Sequence, residues 1–367
     1  MKANEKIHKT RYLAFLVAAA LMAAALFGLA GCGGDDSSSS SSGDVDEKYA
    51  NLDNVTLVFG GTCSKDSAQD QWSTAISKYA SEITGGKLTL DWHGYGDLGD
   101  NPDLLRQLQA NDIQMYSVQP SPMVSFVPKL AAFDLPLVFA QNTPDEIDSV
   151  LNGDNAFSQG IQEAYNESGL QLLGWLQDGT YRQTTANRDL STLEDFKGFQ
   201  IRTMENSNNM AFWSAIGAEP TPLAFSELYF ALQNGTVDGE ENAVDTCVGQ
   251  NYFEVQDHLA MTKHLLYVNQ VCINKDCWDN LDPAYQDAIN EAVQRATDEI
   301  RPTLTTLEED SVQVFKDKGC TVIEYDDSFF EEVLANEGVQ QLYKDISGQT
   351  DGLSDLLVEE LKKAKSA

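Results

Sequence analysis

The amino-acid sequence predicts an α/β protein with mixed, mainly parallel sheets. Strand-like and helix-like segments alternate from residue 55 onward in the order β-α-β-α-β, which is typical of parallel strands joined by helices. The chain has 367 residues, which is enough for two domains. A helical pattern near the C-terminal end is longer than one such domain is wide, so we expect this helix to brace both.

The individual elements follow from the spacing of the apolar residues. Residues 66–84 carry apolar side chains at helical spacing, and Gly85 and Gly86 end that pattern. Short apolar runs rich in β-branched residues predict strands. These runs are VTLVF (55–59), KLTLDW (87–92), DIQMYSV (112–118), LQLLGWL (170–176) and FQIRTM (199–204).

The loop after the second strand has glycines at the spacing of a dinucleotide-binding turn. Residues 93–100, HGYGDLGD, contain the pattern G-x-G-x-x-G. Asp100 and Asn101 are helix-capping residues and Pro102 suits a first helical turn, so the helix is predicted to begin after the third glycine. Aspartates crowd that helix start, where a pyrophosphate would need positive charge. The pattern therefore does not indicate a nucleotide site, and we expect no cofactor.

The long helical pattern extends from Pro283 to Lys318. Pro302 lies inside it and lacks the backbone N–H that an uninterrupted α-helix would use at that position. We therefore expect the helix to bend or to be interrupted at Pro302.

The N-terminal residues have the pattern of an export signal. Basic residues precede the apolar stretch YLAFLVAAALMAAALFGLA (12–30). The sequence LAGC (29–32) resembles the lipobox of bacterial lipoproteins, which implies cleavage before Cys32 and a lipid on that cysteine. Residues 1–31 would then be the signal peptide and the serine-rich residues 32–49 a flexible tether. The alternative is an uncleaved anchor helix, and in both cases the folded part lies outside the cytoplasm.

Composition excludes several kinds of partner. The formal net charge of −33 disfavours nucleic acid and anionic lipid surfaces, so any anionic ligand needs a local positive pocket. Histidines are few and no H-E-x-x-H occurs, so we expect no metal site. Five cysteines follow Cys32, an odd number. Cys272 and Cys277 are close enough in sequence for a disulfide, although burial as small apolar side chains is expected for most of the five.

The densest motifs lie between residues 179 and 264. They include RQTTANR (182–188), KGFQIR (197–202), GAEPTPLAFSELYFAL (217–232), DGEEN (238–242) and LAMTKH (259–264). These stretches resemble the DctP-type solute-binding proteins of tripartite ATP-independent periplasmic (TRAP) transporters, and the resemblance extends over residues 55–345. It implies a two-lobed periplasmic-binding-protein-like fold with a ligand cleft between the lobes. The implied boundaries are 50–179 with 268–307 for lobe I, 180–267 with 308–350 for lobe II, and 351–367 for a C-terminal helix or tail.

The resemblance also implies which residues bind the ligand. Arg202 is expected to pair with a ligand carboxylate, Arg182 is a second ligand arginine, and Asn242 belongs to the D-G-x-E-N motif. Phe225 and Gln119 map to the cleft. A guanidinium suits this role because its planar fork of donors holds a carboxylate through two hydrogen bonds and stays charged. On composition alone, each arginine could equally belong to a surface ion pair.

Two of these positions depart from the family pattern. The motif usually reads D-G-Q-E-N-P, whereas here its third position is Glu240 and its last position is Ala243. A Glu240 facing the cleft would oppose an anionic ligand or favour one that carries a cationic group. We favour the alternative that Glu240 points outward as a surface acid. Gln119 stands where the most similar family patterns carry an acid, which implies altered recognition of the far end of the ligand.

The function predicted from these observations is extracytoplasmic capture of a small organic acid and its delivery to TRAP-type permease subunits. The protein is expected to be a monomer, held at the outer face of the cytoplasmic membrane by the lipid on Cys32. A ligand sensor for a membrane signalling protein is one alternative. An extracellular hydrolase is another, but Glu240 and Glu241 are adjacent and face opposite sides of a strand, so they cannot flank one glycosidic bond.

Overall fold

The computed structural model describes residues 47–366. The predicted signal peptide, Cys32 and most of the predicted tether lie outside the described residues. Within residues 47–366 the chain forms eleven strands: β1 Val55–Gly61, β2 Leu88–His93, β3 Met115–Val118, β4 Leu170–Leu176, β5 Tyr181–Ala186, β6 Gln200–Thr203, β7 Glu219–Pro222, β8 Gly239–Asn242, β9 His258–Leu266, β10 Asn269–Asn274 and β11 Thr321–Ile323.

Helices surround these strands. They are α1 Glu47–Ala50, α2 Ala68–Ile83, α3 Asn101–Ala110, α4 Pro144–Leu151, α5 Ala156–Glu167, α6 Ser207–Ala215, α7 Leu228–Gln233, α8 Val244–Gly249, α9 Lys275–Asn280, α10 Pro283–Ile300, α11 Leu304–Asp317, α12 Asp327–Ala335, α13 Glu337–Gln349 and α14 Leu353–Ala364. Short 3₁₀ turns, among them Phe225–Glu227 and Tyr252–Glu254, connect some of them.

The strands form two sheets. The first has the order β2-β1-β3-β10-β4 and the second the order β11-β9-β5-β8-β6-β7. In the first sheet β1 pairs in parallel with β2 and β3, as the β-α-β-α-β pattern predicts, whereas β10 is antiparallel to both β3 and β4. In the second sheet β8 lies between β5 and β6, antiparallel to β5 and parallel to β6. The predicted α/β class with mixed, mainly parallel sheets is confirmed.

The helix that follows the glycine loop begins where its capping residues predict. Asp100 occupies the N-cap position of α3, and Pro102 lies in the first turn. The Asp100 side chain makes no capping hydrogen bond. Its Oδ2 atom accepts a hydrogen bond of 2.9 Å from Ser226, a residue that follows a strand of the second sheet. The loop therefore connects the two sheets of the molecule.

The long helix is interrupted at the predicted proline. Arg301–Thr303 form a 3₁₀ turn that separates α10 from α11. Helix α10 packs on helix α2 and on β4, a strand of the first sheet. Helix α11 packs on helix α8 and on β11, a strand of the second sheet. The helix pair thus braces both halves, because its two segments bury their apolar faces against different sheets.

Two further features of the described residues are the state of their cysteines and the apolar character of their helices. Cys63, Cys247, Cys272, Cys277 and Cys320 are all free thiols, so the disulfide considered between Cys272 and Cys277 does not form. Between residues 47 and 366, no helix combines the length and the apolar character needed to cross a membrane.

Candidate functional site

All five residues predicted to bind ligand line one cavity between the two sheets. Its volume is about 40 Å³, and it is lined from both halves of the molecule, the half built on the first sheet and the half built on the second. The lining residues are Thr62, Cys63, Gln69, Asn101, Val118, Gln119, Pro122, Arg182, Arg202, Met204, Phe225, Asn242 and Thr246. Gln119 directly follows β3, and Asn242 ends β8, so the cavity lies at the carboxyl ends of these strands. This is where ligands bind in open α/β sheets.

Arg202 is a buried cation without a carboxylate partner in the described chain. Its side chain is 3% exposed, and its Nε and Nη2 atoms donate hydrogen bonds of 3.0 and 2.7 Å to the carbonyl oxygen of Leu223. Burial lowers the pKa of Arg202, but an arginine remains protonated at physiological pH. The Leu223 carbonyl orients one edge of the guanidinium, while Nη1 has no hydrogen-bond partner among residues 47–366. A buried guanidinium without a hydrogen-bonded counter-ion is costly, and an anion at the free Nη1 edge would offset that cost.

Arg182 is different because the protein itself neutralises it. Its Nε atom lies 2.5 Å from Glu241 Oε2, and Nη2 donates to Glu241 Oε1 at 3.0 Å. Both side chains are almost fully buried, at 2% and 1% exposure. Burial opposes the charge on each group, but their mutual attraction outweighs it, raising the pKa of Arg182 and lowering that of Glu241 to about 2. Nη1 donates to Gln119 Oε1 and so ties the two halves together.

The carboxylate of Glu241 belongs to a hydrogen-bonded network built from three sequence motifs. His264 Nε2 lies 2.9 Å from Glu241 Oε2, and the acceptor there is ionised, so we assign the ring proton to Nε2. His264 Nδ1 then accepts from Thr262 at 3.0 Å, and Thr262 contacts Thr184 at 3.0 Å. RQTTANR, DGEEN and LAMTKH therefore meet around one guanidinium, that of Arg182. A fully satisfied buried network of this kind is rigid.

Three amide side chains in the cavity lining use their oxygen atoms in hydrogen bonds within the protein, so their NH₂ groups are available to a ligand. The Asn242 oxygen accepts the backbone N–H of Ala243 at 3.2 Å, and the Gln119 oxygen accepts from Arg182. The Asn101 oxygen accepts from the Thr62 hydroxyl at 2.5 Å and is shared with Tyr116. Within the described residues, none of the three NH₂ groups has a hydrogen-bond partner. The lining thus offers unused donors beside an unpaired guanidinium.

A larger chamber adjoins this inner cavity. It has a volume of about 330 Å³ and shares Thr62, Cys63 and Phe225 with the inner cavity. The remaining lining is mostly polar or glycine and consists of Lys65, Tyr95, Gly96, Gly99, Asp100, Ser226, Gly249 and Gln250. Burial raises the pKa of the Cys63 thiol to about 12, so this residue is a neutral part of both walls. The two chambers together can take a ligand much larger than the inner one alone.

The expectation that Glu240 is a surface acid is wrong. Its side chain is 0% exposed, because β8 is a central strand and both of its faces are covered. Glu240 Oε1 accepts from Thr185 Oγ1 at 3.0 Å and from the Cys247 thiol at 3.3 Å. Glu240 and Glu241 do face opposite sides of the strand, as alternation predicts.

Sequence reasoning missed Glu241, His264, Asn101 and Thr62 as parts of the site. Glu241 and His264 lie inside the quoted motifs, so motif membership was the available signal. The sequence around Asn101 indicates a helix cap alone, and its contact with Thr62 depends on the parallel pairing of β1 with its neighbours. No local pattern marks that contact.

Comparisons with known proteins agree with this geometry. Residues 59–349 match the DctP family, described as bacterial extracellular solute-binding protein, family 7. The sialic acid-binding periplasmic protein SiaP of Vibrio cholerae is 32% identical over 295 residues, covering 79% of this chain and 88% of that protein.

Solved structures show the same fold. The ectoine-binding protein of the TeaABC TRAP transporter from Halomonas elongata has a TM-score of 0.78 at 25% identity, covering 84% of this chain and 100% of that one. A TRAP periplasmic solute-binding protein from Sulfitobacter, with bound β-D-galacturonate, has a TM-score of 0.76 at 26% identity over 84% and 100% of the two chains. These matches confirm the predicted family and its two-lobed architecture. This chain is a solute-binding receptor rather than an enzyme, and it belongs to the DctP family of bacterial extracellular solute-binding proteins.

Proposed function

We propose that this receptor binds a hydroxylated monocarboxylic acid, of the sugar-acid class, through Arg202. The observation that carries the proposal is the buried guanidinium of Arg202, which has no carboxylate partner within residues 47–366. A ligand carboxylate would supply the missing charge and accept from the unused Nη1 edge. Arg182 is already paired with Glu241, which favours one ligand carboxylate rather than two.

The rest of the ligand is proposed to be hydroxylated because of what surrounds it. The unused amide donors of Asn101, Gln119 and Asn242 suit carboxylate and hydroxyl oxygens. The adjoining chamber of about 330 Å³ would take the remaining carbon chain, with Phe225 against its apolar side. The relatives bind related compounds, since SiaP is named for sialic acid and the Sulfitobacter protein holds galacturonate.

Delivery would follow closure of two lobes with the predicted boundaries. The halves touch on both sides of the cavity: Gln119 meets Arg182, Ser226 meets Asp100, and the Asp245 carboxylate accepts from the Ala68 backbone at 2.9 Å. These contacts would separate when the cleft opens. The closed, loaded receptor would then dock on TRAP-type permease subunits, as a monomer.

Anchoring through Cys32 is the remaining part of the proposal. It rests on the sequence LAGC and on the serine-rich residues that follow. Metabolic labelling with a fatty acid would test it, with Cys32→Ser as the variant expected to lose the label and to leave the membrane fraction.

Calorimetric titration and thermal shift would test the binding site. The panel contains N-acetylneuraminate, D-galacturonate, D-glucuronate, D-galactonate, ectoine and succinate, with residues 47–366 as the protein. A ligand at 100 times its Kd adds about 2.7 kcal/mol of stability. We expect a sugar acid to bind, Arg202→Ala to abolish binding, and Arg202→Lys to fail to restore it because an ammonium lacks the planar fork.

Arg295→Ala is the matched control. Arg295 is an exposed arginine of α10 that pairs with Glu291 on its own helix, and its removal should leave affinity unchanged. Unchanged affinity in Arg202→Ala would reject the site. Binding of succinate or ectoine, with no response to any sugar acid, would reject the ligand class while keeping a receptor function.

A further inference from the structure

Glu240 is a buried acid beside the proposed carboxylate-binding arginine. In the parallel pairing of β6 with β8, Arg202 and Glu240 are register partners. Partner residues in a sheet project to the same face, so their side chains are neighbours. They form no ion pair in the described chain, because Arg202 instead bonds to Leu223. The guanidinium and the carboxyl are therefore close but not joined.

The carboxyl group of Glu240 is only half satisfied. Oε1 accepts from Thr185 and Cys247, while Oε2 is buried and has no partner within residues 47–366. The hydroxyl of Tyr252, in the turn after α8, is also buried and has no hydrogen-bond partner in the part of the chain that the structure describes. A protonated Glu240 would be neutral and could donate a hydrogen bond. Burying this neutral form costs less free energy than burying a carboxylate whose Oε2 atom has no hydrogen-bond partner.

The ionisable groups that influence Glu240 electrostatically, on its own face of the sheet and across it, come from the elements around it. They are Glu241 on its own strand, Arg182 on β5, Arg202 on β6, Cys247 on α8 and Tyr252 in its turn. Burial and then Glu241 raise the pKa of Glu240 to about 7, against the opposing effect of the two arginines. Glu240 can thus gain or lose its proton near neutral pH.

We propose that Glu240 is a positioning residue that acts through Arg202, so that an anionic ligand binds together with one proton taken up by Glu240. The inference rests on the proposed function. Arg182 and Glu241 cancel each other, which leaves Arg202 and Glu240 as the buried groups that set the charge of the inner cavity. With Glu240 ionised the buried site is neutral and a carboxylate would bring an excess negative charge. With Glu240 protonated the site carries the positive charge of Arg202, which the carboxylate balances.

The expected effect is a loss of affinity as the pH rises. If the free receptor titrates near pH 7 and the complex well above it, the apparent Kd follows 1 + 10^(pH − 7), which gives about a tenfold increase between pH 6 and pH 8. Calorimetry with N-acetylneuraminate and D-galacturonate as probes, in buffers of different ionisation enthalpy, should show uptake of about 0.9 proton at pH 8 by the same relation.

Glu240→Gln removes the titrating group and keeps its shape. Its Kd should stay within about twofold over the same pH range, with no proton uptake. The matched control is Glu308→Gln, a partly buried carboxyl on α11 that contacts Gln183 and should keep the tenfold dependence. An equal slope in wild type and Glu240→Gln, or no proton uptake by the wild type, would overturn the proposal. The wild-type proton count does not depend on the folding of any variant.

A ligand-free arm separates this inference from the proposed function. Carbon-13 NMR of labelled glutamate side chains should show one carboxyl with a midpoint near pH 7, and that midpoint should rise in Arg202→Met because a neighbouring positive charge is lost. A midpoint that does not move overturns the coupling to Arg202, even if every probe acid binds. Failure of all probe acids to bind the wild type rejects the proposed function, while the NMR arm still decides the coupling.

Discussion

Substitution of Glu241 by glutamine should strongly destabilise the fold. The Arg182–Glu241 pair is almost completely buried, at 2% and 1% exposure, so solvent screens it little. Removing one partner of a buried pair costs about 3–5 kcal/mol, because the other charge stays buried without compensation. Glutamine keeps one acceptor oxygen for His264, so we expect the lower end of that range. For a chain of this size the loss corresponds to about 5 °C in Tm.

Urea unfolding followed by circular dichroism would measure this effect. The m-value should be unchanged if only the folded state is affected. Adding Arg182→Met to Glu241→Gln should recover about 2 kcal/mol relative to the sum of the single effects, since both charges are then gone. Glu194→Gln, which removes an exposed partner of Lys197, is the control and should leave Tm unchanged. A loss below about 1 kcal/mol in Glu241→Gln would refute the buried, mutually neutralised pair.

The same carboxylate gives a pH dependence with a definite sign. The fold lowers the pKa of Glu241 from its ordinary 4.5 to about 2. Its contribution to stability is therefore fully present above pH 4.5 and is lost as the pH falls toward 2. The difference in stability between wild type and Glu241→Gln should shrink over that interval. A constant difference would contradict the assignment.

Further predictions concern packing, closure and the thiols. Gly61→Ala should lower the free energy of unfolding in urea by about 1–3 kcal/mol, because its Cβ would lie 2.4 Å from the Trp92 ring. The control is Gly348→Ala, in open space on α13, which should be neutral or slightly stabilising. Equal effects of the two substitutions would contradict the described packing. Ser226→Ala removes the contact with Asp100 across the cleft, so the Kd for the bound acid should rise about fivefold through faster dissociation in stopped-flow measurements; an unchanged dissociation rate would mean that this contact does not hold the cleft closed. The five thiols should all react with a thiol reagent after unfolding, whereas Cys63, Cys247 and Cys272 should react slowly in the native protein; fewer than five after unfolding would indicate a disulfide.

Features that depend on neighbouring residues could be predicted from the sequence. Helix α3 begins after the glycine loop because Asp100 and Pro102 set its first turn, and the long helix breaks because Pro302 lacks an N–H. The parallel order of β1, β2 and β3 follows from the helices between them. The resemblance of the motifs to the family predicted that Arg202 and Asn242 share one cleft, and both residues line the inner cavity of the structure.

Features that depend on which distant strands pair could not be predicted. β10 enters the first sheet between β3 and β4, and β8 enters the second between β5 and β6, although neither position follows from local periodicity. Alternation along a strand indicates a solvent face only when one face is open, and both faces of β8 are covered, so Glu240 is buried.

The same long-range pairing distinguishes the two arginines. Their local sequences make both equally suited to a ligand carboxylate. Strand β8 places Glu241 against Arg182, whereas among residues 47–366 the guanidinium of Arg202 hydrogen-bonds only to the backbone carbonyl of Leu223. The resemblance of the motifs to the family thus indicated a carboxylate receptor, and the arrangement of the strands left Arg202 without a hydrogen-bonded carboxylate among residues 47–366. The physical reason is that the charge state of a buried group depends on its neighbours in space, which the order of residues does not specify.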